Sequence, residues 1–193
     1  MMTIMRLKHF TATALLVAGT SIAAQAQEYV SPASAKPVVL GKAPGMKVKL
    51  LSTSGAVKTY VLVFAKGDEV MSGLTEFAQK YNVKSAHYQA IGDALSAKIG
   101  VYDYSHKQFK VIPITEPSEV TSLTGDIALL NGKPAAHSHL NLAAADGSVR
   151  GGHLLELIIG PTLELFVTVE PTALYKRHNE EFDANVIDPA LEK

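Results

Sequence analysis

Three of the chain's seven histidines lie in the stretch PAAHSHLNLAAADGSVRGGHLLE, Pro134 to Glu156. His137 and His139 are two apart, and His153 follows the pair Gly151-Gly152. In an extended strand, a spacing of two puts both imidazoles on one face. Whether His153 joins them depends on the turn between. With Asp146-Gly147-Ser148 as a three-residue loop, Ala145 faces Val149, Asn141 faces His153 and His139 faces Leu155. His153 then lies diagonal to His139 on the same side of the sheet, at the ~7–8 Å of diagonal neighbours. A two-residue loop would pair Leu140 with His153 and turn His153 away. Gly147 suits the left-handed position of a three-residue loop, while a bulge at Gly151-Gly152 would shift the count.

Three neutral imidazoles form a ligand set for Zn²⁺ that leaves a fourth position for water or substrate. Ni²⁺, Cu²⁺ and Fe²⁺ accept the same donors. His137, His139 and His153 are therefore the candidate metal ligands, with Zn²⁺ the expected ion. The plainer alternative makes them solvated or hydrogen-bonded strand residues, and His87, His106 and His178 are read that way. Hydrolytic chemistry would also need a general base near the ion. Glu119 is the candidate, whereas Glu156 alternates with Leu155 to the face opposite His153.

The elements that must position these residues are mostly strands. Tyr60 to Val70 is an apolar run closed by a Lys-Gly-Asp turn. Glu69 to Lys80 has the apolar spacing of a helix, with Asp68 as its expected cap. Ser85 to Ile91 is a strand ending at Gly92. Ala97 to Tyr104 and Gln108 to Ile114 form a hairpin around Ser105-His106-Lys107, with Pro113 marking an edge or a strand end. Val120 to Leu130 is a strand interrupted or curved at Gly125. Two strands flank the Asp146-Gly147 turn, and Leu163 to Glu170 is the last. One helix and seven or eight strands in adjacent hairpins make an α+β domain on a mainly antiparallel sheet. Phosphate-loop, dinucleotide and nucleophile-elbow motifs are absent from the sequence.

The N-terminus carries a different signal. Arg6, Lys8 and His9 precede an apolar stretch from Phe10 to Ala24, and Ala24-Gln25-Ala26 reads as a cleavage site. The stretch is shorter than the ~20 residues a membrane span needs, so residues 1–26 are expected to be a signal peptide. The mature chain would be periplasmic or secreted, with no membrane anchor. Residues 27–56 read as a lead-in rich in Pro, Ala, Ser, Gly and Lys, with a short extended piece at Pro37 to Leu40. Residues 57–176 read as the domain and 177–193 as a polar tail. The 18 basic and 18 acidic residues balance, which argues against a broad basic footprint for nucleic acid. Without cysteine there is neither a disulfide nor a thiolate ligand.

The ordered set Gly67-Asp68, Glu119, Ser122-Leu123-Thr124-Gly125, His137-Ser138-His139 and Gly151-Gly152-His153-Leu154 resembles the plants and prokaryotes conserved (PPC) domain family, over about Lys58 to Tyr175. The resemblance implies a strongly bent antiparallel sheet beside one helix, assembled as a homotrimer. It also implies metal ligation by the three histidines. Plant relatives attach the domain to a DNA-binding AT-hook, which this sequence lacks. The reading is thus an exported, oligomeric metal-binding protein whose small-molecule ligand the sequence does not name. A zinc-dependent hydrolase is the alternative, and DNA binding by family analogy is disfavoured.

Overall fold

The computed structural model describes residues 26–33 and 38–192. The apolar stretch of the expected signal peptide and its cleavage site up to Gln25 lie outside the described residues, as does Pro37. Among the described residues no helix is long and apolar enough to cross a membrane.

The strands are β1 (Tyr29–Val30), β2 (Lys47–Ser54), β3 (Val57–Ala65), β4 (Ser85–Asp103), β5 (Gln108–Ile114), β6 (Ser118–Leu130), β7 (Lys133–Ala143), β8 (Val149–Val169), β9 (Lys176–Asn179) and β10 (Ala184–Ile187), with one helix, α1 (Val70–Lys80). Eight strands form one antiparallel sheet in the order β1-β5-β4-β6-β7-β8-β3-β2, and β9 with β10 forms a separate hairpin. A further β4–β8 pairing closes β4, β6, β7 and β8 into a ring. The architecture is the expected α+β class: a strongly bent, mainly antiparallel sheet with, among the described residues, a single helix.

Several sequence boundaries move for identifiable reasons. β4 and β8 are each one long strand where two were expected. Register shifts along the β4–β8 ladder between Gly92 and Ile99 bend the strands without ending them, because a bulge adds a residue and a kink while pairing resumes beyond it. In β6 the shift falls between Val120 and Ser122, and Gly125 pairs regularly with Tyr88 and Ser138. β2 lies inside the expected lead-in. Its side chains are mostly exposed, so only pairing with β3 reveals it. Val38 to Leu40 are not a strand.

Glu69, not Asp68, caps α1, accepting from the backbone N–H groups of Met71 and Ser72 at 3.0 and 2.7 Å. Asp68 is buried and accepts instead from Gly45 and Ala65 N–H groups, both at 2.9 Å. The helix packs Leu74 and Phe77 into a core with Leu62, Phe64, Leu140, Leu157 and Leu165, all at most 1% exposed. That burial fixes which face of β7 looks inward, and so which face carries the histidines.

Candidate metal centre

Strand β7 alternates cleanly. Ser138, Leu140 and Leu142 are buried, and Ser138 Oγ lies 3.5 Å from Met71 Sδ on α1. His137, His139 and Asn141 occupy the opposite face, turned away from the helix. The β7–β8 loop has three residues, as expected, but they are Ala145-Asp146-Gly147, one position earlier than the expected loop. Ala144 and Ser148 close it, with Ala144 N–H donating to the Ser148 carbonyl at 2.9 Å. Gly147 takes the last loop position at φ +80°, which a residue with a Cβ adopts at a cost. His139 therefore pairs directly with His153 instead of lying diagonal to it. The slip changes each partner by two residues, so the shared face survives.

The three rings form a near-equilateral triangle, with centroids 5.1, 5.2 and 5.5 Å apart. One nitrogen from each histidine lies within 4.8 Å of the other two, a group that can hold a metal ion. His153 Nδ1 is buried and has no hydrogen-bond partner. A buried ring nitrogen left unsatisfied costs roughly 1–3 kcal/mol, so this atom has the character of a ligand nitrogen and the donor set fits a transition metal. Burial pushes the His153 imidazole down to about 3, helped by the nearby His137, His139 and Lys176 charges. Burial, then His137, also lowers His139. Both shifts favour the neutral form that ligates metals.

Residues from other strands shape the centre. Phe109 on β5 lies flat on His153, with centroids 4.4 Å apart and planes 9° from parallel. Gly100, the partner of His153 on β4, makes room for it: a Cβ there would sit 2.8 Å from Phe109 Cβ. Asp126 on β6 pairs with His137, its Oδ2 3.3 Å from His137 Nδ1 and its Oδ1 2.8 Å from Lys176 Nζ. Burial works to raise the Asp126 carboxyl, but His137 and Lys176 outweigh it and leave the group below its ordinary value. Tyr88 donates to the His137 carbonyl at 3.1 Å and its hydroxyl lies 2.6 Å from Ser138 Oγ. Asp126, Phe109 and Lys176 carry no local motif. Asp126 becomes visible only once the β6–β7 register is known.

The structure does not bring Glu119 to the histidines. It pairs with Ala143, four residues beyond His139 on β7, or about 13 Å along the strand at ~3.3 Å per residue. Glu156 corrects the opposite expectation. The register skips Leu155, which returns Glu156 to the histidine side of β8 as the partner of Lys98. Their charged groups lie 3.7 Å apart. His106 is an exposed hairpin residue 2.9 Å from Asp103, and His178 faces Asp183 at 3.6 Å. Neither belongs to the cluster.

A closed antiparallel sheet with one helix and a trihistidine group on its outer face defines an α+β protein with a site competent for metal. The chain belongs to the family of the Plants and Prokaryotes Conserved (PCC) domain, whose model matches residues 51–170. A plant- and prokaryote-conserved protein from Pyrococcus horikoshii is 25% identical, with a TM-score of 0.64 over 80% of this chain and 99% of that one. A metal-containing protein from Archaeoglobus fulgidus is 27% identical, with a TM-score of 0.63 over 74% of this chain and 96% of that one. A Ralstonia eutropha protein labelled DNA-binding is 33% identical, with a TM-score of 0.65 over 72% and 95%. No curated protein matches the chain.

Proposed function

We propose that this protein binds one transition metal ion per chain through His137, His139 and His153, with Zn²⁺ the preferred ion, and presents it to a small ligand. The observation that carries the reading is the convergence of three ring nitrogens within 4.8 Å of one another. The metal-containing Archaeoglobus relative supports it. Three neutral imidazoles leave one coordination position for water or a ligand, and that Lewis-acidic position is the chemistry such an ion supplies.

Binding is favoured over hydrolysis. The convergent group contains no carboxylate. The carboxylate beside it, Asp126, is engaged by His137 and Lys176 and so is not free as a general base. The DNA-binding label of the Ralstonia relative is not extended to this chain, whose 18 basic and 18 acidic residues leave no net positive charge. Export to the periplasm or medium and homotrimeric assembly complete the proposal. They are motivated by the basic and apolar N-terminus and by the family resemblance.

The deciding experiment is elemental analysis of untagged protein from its native host, with Zn²⁺ titration of chelator-treated protein by calorimetry. One ion per chain is expected. A chain that emerges metal-free and takes up no Zn²⁺, Ni²⁺, Cu²⁺ or Fe²⁺ overturns the reading. Intact mass and sedimentation equilibrium on the same sample test cleavage near Ala26 and the trimer.

A further inference from the structure

We propose that Asp126 is the positioning carboxylate of the trihistidine centre and that the C-terminal hairpin β9–β10 holds it there through Lys176. The inference rests on the metal reading above and extends the centre beyond the family-matched residues 51–170.

Two features of the strand pairing bring these groups together. Asp126 and His137 are direct cross-strand partners on β6 and β7, so their side chains leave the sheet on the same face. The Asp126 Oδ2 to His137 Nδ1 distance of 3.3 Å addresses one ring nitrogen only. A proton on Nδ1 shared toward that carboxylate leaves the Nε2 lone pair for the cluster. Carboxylates in this position fix the tautomer and raise the basicity of a ligating imidazole.

Lys176 reaches the same carboxylate from beyond the family-matched residues 51–170. The chain at Leu174 and Tyr175 is tied alongside β6, with Leu129 N–H donating to the Leu174 carbonyl at 2.8 Å and a parallel bridge joining Leu129 to Tyr175. That anchor lies three residues from Asp126 along β6. The Lys176 side chain is 4% exposed and its Nζ stands 2.8 Å from Asp126 Oδ1. An ammonium is rarely this buried unless paired. The hairpin itself is pinned by Asp188 N–H to the Tyr175 carbonyl at 3.0 Å and by Arg177 to Asp188 at 2.8 Å. Lys176 and His137 thus stand at opposite oxygens of one carboxylate, the Lys176 contact being a charge pair off hydrogen-bond geometry, and rotation of that carboxylate breaks both contacts. The C-terminal hairpin is a structural part of the centre.

The first test needs neither ion nor variant. Long-range proton–nitrogen correlation spectra of ¹⁵N-labelled, metal-free protein near pH 8 report which ring nitrogen carries the proton. His137 is expected as the Nδ1–H tautomer. Asp126→Ala and Lys176→Met should shift it toward Nε2–H. In competition with a chromophoric chelator, Asp126→Ala should weaken Zn²⁺ binding about 10–100-fold, Lys176→Met less, and Lys176→Arg should restore it. Asp126→Asn keeps an acceptor without the charge and should fall between wild type and alanine. Wild-type His137 protonated on Nε2 overturns the inference, as does wild-type tautomer and affinity in both loss variants. A wild-type chain with the expected tautomer that takes up no Zn²⁺ overturns the metal reading alone and leaves the positioning contact standing.

Discussion

Phe109 covers one face of His153 as a parallel plate 4.4 Å away, although the two residues lie on strands that are not neighbours. Gly100 stands between them on β4, paired with His153 on one side and with Val111 of β5 on the other. The stacked ring excludes water from one side of the imidazole, in keeping with the burial that holds His153 neutral. It also fixes the ring plane, and with it the direction of both nitrogens.

Disturbing this stack should loosen the centre without removing a ligand. Phe109→Leu keeps apolar cover and loses the ring pair, which is worth about 0.5–1.5 kcal/mol beyond its area. Gly100→Ala pushes a methyl group against Phe109 and should cost about 1–3 kcal/mol by overpacking. Both should lower chemical stability in metal-free protein and weaken Zn²⁺ affinity. Unchanged stability and affinity in both variants would remove Phe109 from any account of the site.

Tyr88 acts from the other side of the sheet. Burial raises its hydroxyl far above the ordinary tyrosine range, so it stays protonated and donates to the His137 carbonyl. Gly125 leaves space for it, since a Cβ there would collide with both the tyrosine ring and that carbonyl. Tyr88→Phe should cost about 1–2 kcal/mol, as a buried hydrogen-bonding group loses its partner. Urea denaturation measures the loss. Zn²⁺ affinity should stay close to wild type, because Tyr88 touches the backbone of His137 and not its ring. A variant as stable as wild type contradicts the assignment.

Single alanine substitutions separate the cluster from the remaining histidines. His137→Ala, His139→Ala and His153→Ala should each cost more Zn²⁺ affinity than the ~10–100-fold typical of losing an outer contact, since three ligands leave no spare. His106→Ala, His178→Ala and Glu119→Gln should leave the chelator-competition curve unchanged. Equal binding by the three cluster variants would move the site elsewhere.

The histidine face was legible in the sequence because strand period is an alternation: any register that slips by two residues keeps the same face. The loop at Gly147 slid by one position, moving every partner by two, and the convergence of His137, His139 and His153 survived the error. Glu156 shows where that logic fails. A single skipped residue, Leu155, reversed its face, and no local sequence signal marks a bulge between two leucines. Phe109 and Lys176 were illegible for another reason. Phe109 comes to His153 only because the β4–β8 pairing closes the ring. Lys176 comes to Asp126 because the chain at Leu174 and Tyr175 is tied beside Leu129. Both depend on contacts between segments far apart in the chain. The helix, by contrast, was readable within a residue from its apolar spacing, and its cap moved from Asp68 to Glu69 because Asp68 is used to tie Gly45 and Ala65.

The metal-free protein should lose stability as the pH falls through the histidine range. The His153 imidazole is pushed down to about 3 by burial first and by its charged neighbours second, against about 6.5 in an unfolded chain. Between those values the unfolded chain binds a proton that the folded chain refuses, so stability rises with pH across the window. It is complete above about pH 6.5 and declines below it, by at most ~1.4 kcal/mol per pH unit for one proton. His139, lowered in the same direction, adds to the slope. Asp126, Asp103 and Asp146 are held below their ordinary values, so their stabilising contributions begin to be lost only below about pH 5. The interval from about 6.5 to about 5 therefore isolates the histidines. Urea midpoints of chelator-treated protein in that interval should fall steadily. His153→Gln should flatten most of the slope, because glutamine has no proton to gain. A wild-type midpoint constant from about pH 6.5 to about 5, or an identical slope in His153→Gln, would show that His153 is not held neutral in the folded chain.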